Sequence, residues 1–272
     1  MHDWIPCLLL ILAGFVAGVV NTIAGGGSFL TLPALMYLWG LEPKIANGTN
    51  RVAILLSTFS ATATFHKHGR IDRRLALRLA LPTLAGVPCG ALLAVYLPAA
   101  AFKPLFGAIF LGMAVLLVRN PKLLAERDTP LVSSPGGEIA CFFAIGVYIG
   151  FIQAGMGILL LLGMGLFHGR DLVAANAVKN VLGLAVTVTG LAVFVFYGQI
   201  AWLPGLVMAV GNLAGGFVGA RLAIRKGRQL ILGGLIVVML LTATQLLWGS
   251  LFGSKAASPD VPKALAVPTA GR

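Results

Sequence analysis

The protein has 272 residues, of which 58% are hydrophobic and only 10% are charged. Soluble domains carry about 25% charged residues, so this composition excludes a soluble globular protein. The net charge of +12 does not indicate nucleic-acid binding, because 12 of the 20 lysines and arginines lie in three short clusters between apolar segments, at residues 67–78, 119–127 and 221–228. Loop clusters of this kind set the topology of membrane proteins by facing the cytoplasm.

The apolar segments predict an all-α polytopic membrane protein, because runs of 18 or more apolar residues recur along the chain. In chain order the predicted segments are residues 4–23, 29–40, 47–66, 75–97, 102–118, 138–153, 158–167, 173–196, 203–222 and 230–252. The second segment has about 12 residues and would reach about 18 Å across a core of about 30 Å. Short segments of this kind are half-spans or re-entrant, so we expect roughly 8–10 helical segments.

A hydrophilic stretch, residues 119–137, divides the chain into two membrane repeats. We predict a first repeat at 1–118, a cytoplasmic linker at 119–137, a second repeat at 138–252 and a disordered tail at 253–272. The repeats share Gly14-x3-Gly18-x2-Asn21 with Gly146-x3-Gly150-x2-Gln153, Ala24–Gly27 with Ala154–Gly157, and Ala46-Asn47 with Ala175-Asn176. Equivalent loops have opposite charge bias: the basic HKHGRIDRR follows the third segment and the uncharged YGQIAW the eighth, whereas the turn after the fourth segment carries only Lys103 and its equivalent after the ninth is RLAIRKGR. This indicates two inverted repeats of about five segments each.

The two glycine runs are the first candidate substrate-binding elements. In the membrane, irregular backbone is tolerated only where protein buries it or where it lines a watery cavity. A helix that starts after such a run presents free N–H groups, which attract anions. The candidates are Gly25, Gly26, Gly27 and Ser28 in the first repeat, with Gly155 and Gly157 in the second. The alternative reading is that these are small residues that permit close helix packing.

The polar residues around the short segments are the second group of candidates. Asn47 and Asn176 are expected to cap the N-termini of the third and eighth helices. Asn50, Arg51, Lys179 and Asn180 then place a cation and a carboxamide in each first turn, where a cation is unfavourable unless something compensates it. Either a bound anion or snorkelling to the lipid headgroups would do so. Asn21 and Gln153 are buried amides that need partners, in substrate or in neighbouring helices.

Catalytic and cofactor-binding patterns are missing from the sequence. All eight acidic residues lie at or outside segment ends, whereas ion-coupled carriers usually keep a carboxylate inside the membrane. Three separated cysteines give no metal or redox spacing. There is no Walker motif, nucleophile elbow or HExxH. We therefore expect no enzyme activity, no cofactor and no metal.

The segments GFVAGVVNTIAGGGSFLTLPAL and ANGTNRVA, followed later by AGMGILLLL and AANAVKN, resemble the sulfite exporter TauE/SafE family of membrane permeases. The resemblance covers about residues 10–240. It implies a bacterial inner-membrane permease for sulfite, sulfonates or related organic anions. The family's first-repeat glycine run and A-N-x-T-N element correspond to Ala24–Gly27 and Ala46–Asn50, and its second-repeat elements to Gly155-x-Gly157 and Ala175–Lys179.

The predicted function is export of a small sulfur-containing or organic anion by alternating access between inverted repeats. Its partners are then a small anionic substrate and the lipid bilayer, with no nucleic acid and no expectation about oligomeric state. Two alternatives remain open: an ion-coupled importer of a small metabolite, and a membrane-embedded enzyme or assembly protein without transport activity.

Overall fold

A computed structural model describes residues 4–119, 130–168 and 172–225. These residues form helices and connecting loops without any strand, which confirms the predicted all-α class for the described part of the chain. The helices are α1 (Trp4–Ala24), α2 (Ser28–Leu38), α3 (Pro43–Lys67), α4 (Arg73–Tyr96), α5 (Ala99–Arg119), α6 (Pro135–Phe151), α7 (Met156–His168), α8 (Leu172–Phe196) and α9 (Trp202–Arg225). The predicted tenth segment and the tail lie outside the described residues.

The protein is a multi-pass membrane protein. Among the described residues, Trp4–Ala24, Arg73–Tyr96, Val173–Phe196 and Trp202–Ile224 are long and apolar enough to cross a membrane. Helix α3 is also long, with 25 residues. Many of its residues are polar, and the polar side chains from Asn47 to Arg51 are all buried inside the protein. Helix α3 is therefore an interior helix whose polar groups face other helices.

Two breaks interrupt the helices where the sequence places its glycine runs. Helix α1 ends at Ala24 and α2 begins at Ser28, while α6 ends at Phe151 and α7 begins at Met156. Gly25 and Gly155 both have a positive φ, at 82° and 72°. Glycine adopts this left-handed conformation without steric cost, which allows the chain to turn sharply between the two helices. We call these turns the first break (residues 25–27) and the second break (residues 152–155).

Helices of the two halves pack against each other in matched pairs. Helix α1 packs along α9, and α6, the predicted repeat equivalent of α1, packs along α4, the predicted equivalent of α9. Helix α3 likewise packs against α9 and α8 against α4, and α3 and α8 contact each other. This arrangement is the one that a pseudo-two-fold relation between the halves would produce. The inversion of the halves across the membrane stays a prediction.

Glycines allow the backbones of the α1–α9 and α4–α6 pairs to touch. A Cβ atom added at Gly211 would lie 1.9 Å from the carbonyl oxygen of Ile11, and one added at Gly90 would lie 1.8 Å from that of Val147. Comparable approaches occur at Gly14, Gly18 and Gly215 in the first pair and at Gly86, Gly146 and Gly150 in the second. Small residues at such crossings are typical of tightly associated membrane helices.

Helix α5 packs phenylalanine side chains against the helices that adjoin the two breaks. Phe110 makes an edge-to-face contact with Phe29 of α2, with ring centroids 4.6 Å apart. Phe102 stacks on Phe151 at the end of α6, with centroids 6.0 Å apart. Both contacts bury apolar surface between α5 and the interrupted helices, because aromatic rings have large apolar areas.

Candidate functional site

The two breaks lie against each other in the interior of the protein. The backbone N–H of Gly157 donates to the carbonyl oxygen of Gly25 at 3.2 Å. A Cβ atom added at Gly25 would lie 2.3 Å from the Cα of Gly157, so no other residue fits there without displacing backbone. The Ser28 hydroxyl also donates to the Gln153 carbonyl at 3.4 Å. The structure thus brings together the glycine runs that are about 130 residues apart in the sequence.

All of the predicted site residues are buried. They lie on α1, α3 and α8, at the two breaks and in the first turns of α2 and α7, and they are Asn21, Gly25, Gly26, Gly27, Ser28, Asn47, Asn50, Arg51, Gln153, Gly155, Gly157, Asn176, Lys179 and Asn180. The most unusual members are Arg51, which is 0% exposed, and Lys179, which is 2% exposed. Buried cations are costly unless they are paired or hydrogen-bonded, so their partners define the site.

Arg51 reaches the C-terminal end of α6. Its Nη2 donates to the carbonyl oxygens of Ile149 at 3.0 Å and Gly150 at 2.6 Å. Asn47, one turn earlier on α3, donates through Nδ2 to the Phe151 carbonyl at 2.9 Å. Two side chains of α3 therefore satisfy carbonyls that have no partner within α6. A cation is favourable there because the C-terminal end of a helix carries partial negative charge.

Lys179 binds the C-terminal end of α1, as Arg51 binds that of α6. Its Nζ donates to the carbonyl oxygens of Asn21 at 2.9 Å and Thr22 at 2.7 Å, in the last turn of α1. Its aliphatic chain passes Gly157, where an added Cβ would lie 2.9 Å from the Lys179 Cδ. Each interrupted helix thus receives a cation from the central helix of the opposite half. The sequence pattern revealed both cations but could not show these partners.

The expected N-capping role of Asn47 and Asn176 is wrong. Helix α3 begins at Pro43, four residues before Asn47, because the fixed φ of proline suits the first position of a helix. Asn176 likewise follows Leu172, which is already helical. Arg51 and Lys179 consequently lie about two turns inside their helices. They are stabilised by carbonyl oxygens of other helices and not by the N-terminus of their own helix.

A polar network closes the first break. Asn50 donates through Nδ2 to the Ser28 hydroxyl at 3.1 Å and accepts from the Thr31 hydroxyl through Oδ1. At the second break, the Gln153 side chain donates to the Thr187 hydroxyl of α8. These bonds link α2 to α3 and the second break to α8.

Several buried polar atoms of the interior helices and the second break have no hydrogen-bond partner among the described residues. Two nitrogens of Arg51, Nε and Nη1, belong to this group, as do the Thr22 and Ser57 hydroxyls and the side-chain oxygens of Asn47, Gln153, Asn176, Asn180 and Asn212. The Arg51 guanidinium also lies over the Phe194 ring, 4.6 Å from its centroid. Unpartnered buried groups are rare in proteins and call for a ligand or ordered water. The site can therefore donate hydrogen bonds from a fixed positive charge to a small polar molecule.

Sequence reasoning missed Thr22, Ser57, Thr187, Phe194 and Asn212. The available signal was the presence of polar side chains within otherwise apolar helices, which is a functional indicator in membrane proteins. Phe194 gave no signal, because an aromatic residue near a helix end is ordinary. No group of three or more potential metal ligands occurs among the described residues.

Comparison with known proteins agrees with this architecture. The family model "Sulfite exporter TauE/SafE" matches residues 10–246. A probable membrane transporter protein from a Sinorhizobium species is 31% identical over 242 residues, covering 88% of this chain and 91% of the relative. The Escherichia coli K12 probable membrane transporter protein YfcA is 31% identical over 253 residues, covering 90% and 91%. A probable membrane transporter protein from Haemophilus influenzae is 29% identical over 241 residues, covering 88% of this chain and 94% of the relative.

The match extends over nearly all of α1 to α9 and includes both breaks and both buried cations. Family and relatives agree that the protein is a membrane permease, in keeping with its interrupted apolar helices. The chain therefore belongs to the sulfite exporter TauE/SafE family.

Proposed function

We propose that this permease exports a small sulfur-containing or organic anion of the sulfite or sulfonate class, by alternating access of a site at the two breaks. The observation that carries the proposal is the buried Arg51 guanidinium, in which two nitrogens have no hydrogen-bond partner in the described part of the chain. A guanidinium presents its N–H groups in a planar fork that suits the oxygens of an oxyanion. The description of the family, sulfite exporter, supports the same class of substrate.

Lys179 and the neighbouring hydroxyls support an anion as the substrate. The Lys179 ammonium adds a second positive charge beside the breaks, and the Thr22 hydroxyl has no partner among the residues that the structure describes. Hydroxyl groups rotate and can donate to a bound oxygen. Positive charge in a site shielded from water attracts an anion more strongly than it would in solution.

The positions of the carboxylates favour export without a coupling carboxylate. In the described part of the chain the acidic residues lie at helix N-termini: Glu42 and Asp72 precede α3 and α4, and Glu138 lies in the first turn of α6. Each is placed favourably for the helix dipole and away from the helix middle. With the cell interior negative, expulsion of one negative charge gains about 2.3 kcal/mol per 100 mV, so efflux needs no further energy source.

Alternating access would occur between two bodies that each combine helices of both halves. The backbone contacts of the α1–α9 and α4–α6 pairs favour movement of each pair as a unit. One body would contain α1, α3 and α9, and the other α4, α6 and α8. The site then lies where α3 meets α8. There the two cationic side chains each reach from a helix of one body to a helix end of the other. We further propose a bacterial inner-membrane location with the basic loops in the cytoplasm.

The test is anion efflux from proteoliposomes that contain Arg51→Met or Lys179→Met. Each charge-assisted contact with the substrate is worth about 1.5–3 kcal/mol, so sulfite or sulfoacetate efflux should fall at least about tenfold. Arg78→Met is the matched control, because its guanidinium is largely exposed at the start of α4 and pairs with Glu138 at 2.6 Å. This control should retain most of its flux.

Unchanged flux in both site variants would contradict the proposed substrate-binding site. A panel of sulfite, thiosulfate, sulfoacetate and carboxylates, scored by stabilisation of the purified protein, would rank the substrates. Uptake that collapses with a protonophore would favour the alternative of an ion-coupled importer.

A further inference from the structure

The interior ends of α1 and α6 are negatively polarised. Both helices stop inside the protein, at Ala24 and Phe151, and the last carbonyls of a helix have no partner within it. These carbonyls carry about half a negative charge in sum. Buried ends of this kind need a positive group or hydrogen-bond donors.

Each end holds a cation that belongs to the protein. The Lys179 ammonium lies 2.9 and 2.7 Å from two α1 carbonyl oxygens, and the Arg51 Nη2 lies 3.0 and 2.6 Å from two α6 carbonyl oxygens. Both cations come from the central helix of the opposite half. Glycines make room for them, since an added Cβ would lie 2.9 Å from Lys179 Cδ at Gly157 and 2.4 Å from Arg51 Nη1 at Gly190.

In carriers with broken helices, half-helix C-terminal ends and unwound carbonyls coordinate the coupling Na⁺ or H⁺. We propose that Lys179 and Arg51 take the place of such coupling cations, so that this permease moves its substrate without a bound alkali cation. The proposal rests on the proposed function for the identity of the transported species. The tethered charges neutralise the helix ends in every conformation in which these bonds persist, whereas a diffusible ion has to be taken up from solution.

A neutral hydrogen-bond donor would satisfy the carbonyls as well, and Asn47 does so for one α6 carbonyl. Both helix ends instead hold a fixed charge, although burying a charge is costly. This distinguishes the replacement of a coupling cation from simple capping by a hydrogen-bond donor. Removal of the ammonium should therefore leave a site of suitable charge and oxygen ligands for an alkali cation.

The test compares thermal melting of the purified protein in NaCl, KCl and choline chloride at equal concentration and without any transported anion. The wild type should melt at the same temperature in all three salts. Lys179→Ala should melt at a lower temperature in choline chloride. NaCl or KCl should then raise its melting temperature in a saturable manner, by about 3–6 °C at ten times the Kd.

Lys44→Ala is the matched control. The Lys44 Nζ donates to the carbonyl oxygen of Leu97 at 3.3 Å, at the C-terminal end of α4, but Lys44 is only partly buried. Water can replace it there, so no salt-specific shift is expected. If Lys179→Ala does not fold, Arg51→Ala tests the same proposal at the α6 end.

A saturable Na⁺ shift in the wild type would overturn the proposal, and so would a folded Lys179→Ala protein without a cation-specific shift. The measurement contains no transported anion, so its outcome is independent of the flux assay. A failure of the proposed substrate class would leave the melting results unchanged.

Discussion

The two breaks have similar backbone conformations but different polar side chains. Gly25 and Gly155 turn the chain at equivalent positions with similar φ values. At the first break Ser28 and Thr31 bond to Asn50, whereas the second break has Ile158 and Leu161 at the equivalent positions. The comparison teaches that both breaks share the glycine geometry that the turn requires, while different side chains hold each turn.

The donors that close the interrupted helices differ in the same way. One ammonium closes α1, whereas a guanidinium and a carboxamide, Arg51 and Asn47, close α6. Lys179 is equivalent to Asn50 in the repeat, so the second half carries its cation one residue earlier than the first half does. The proposed site would therefore bind an asymmetric substrate in one orientation.

Alanine substitution of glycines should produce the largest effects. Gly25→Ala meets the backbone of Gly157 at 2.3 Å and keeps an unfavourable φ, so we expect a loss of about 2–6 kcal/mol in unfolding free energy. Gly155→Ala meets the flexible Met113 Cε at 2.7 Å and should lose less. Gly40→Ala meets nothing within 4 Å and should lose only about 1–2 kcal/mol from backbone strain.

Unfolding in mixed detergent micelles would measure this series. Equal losses at Gly25 and Gly40 would contradict the contact between the two breaks.

Ser28→Ala should have an intermediate effect that is confined to the first break. It removes the acceptor of the Asn50 amide and the donor to the Gln153 carbonyl, which should cost about 1–3 kcal/mol. Ser60→Ala is the control, because its hydroxyl bonds to the Ser57 and Leu213 carbonyls of α3 and α9 rather than to a residue of the first-break network. A Ser28→Ala protein as stable as the Ser60→Ala protein would show that the first-break network does not hold the turn.

Tyr148→Phe should have the smallest effect and should act on the second break. The Tyr148 hydroxyl donates to the Ala154 carbonyl at 2.7 Å, and the equivalent position near the first break is Val16. Loss of one such hydrogen bond costs about 0.5–1.5 kcal/mol. Tyr96→Phe, whose hydroxyl is exposed beside that of Tyr197 at 3.1 Å, is the control and should change stability less. The reverse order would contradict the role of Tyr148 as a tether of the second break.

The helices were predictable because apolar runs and loop charges are local signals. The third helix was predicted to begin at Asn47, and Pro43 shows why this was wrong, since proline at a first helical position extends the helix upstream. The partners of Arg51 and Lys179 were not predictable, because they are carbonyls 98 to 158 residues away in the chain. A carbonyl has no residue-specific signature, so only the fold reveals which ones meet a cation.

The pairing of α1 with α9 has a consequence for how the protein is made. The glycine face of α1 receives its partner only after almost all of the described chain has left the ribosome. Until then, the translocon or surrounding lipid must cover the backbone that Gly211 and Gly215 later contact. Assembly should therefore be post-insertional, and a chain truncated before α9 should be a substrate for membrane quality-control proteases.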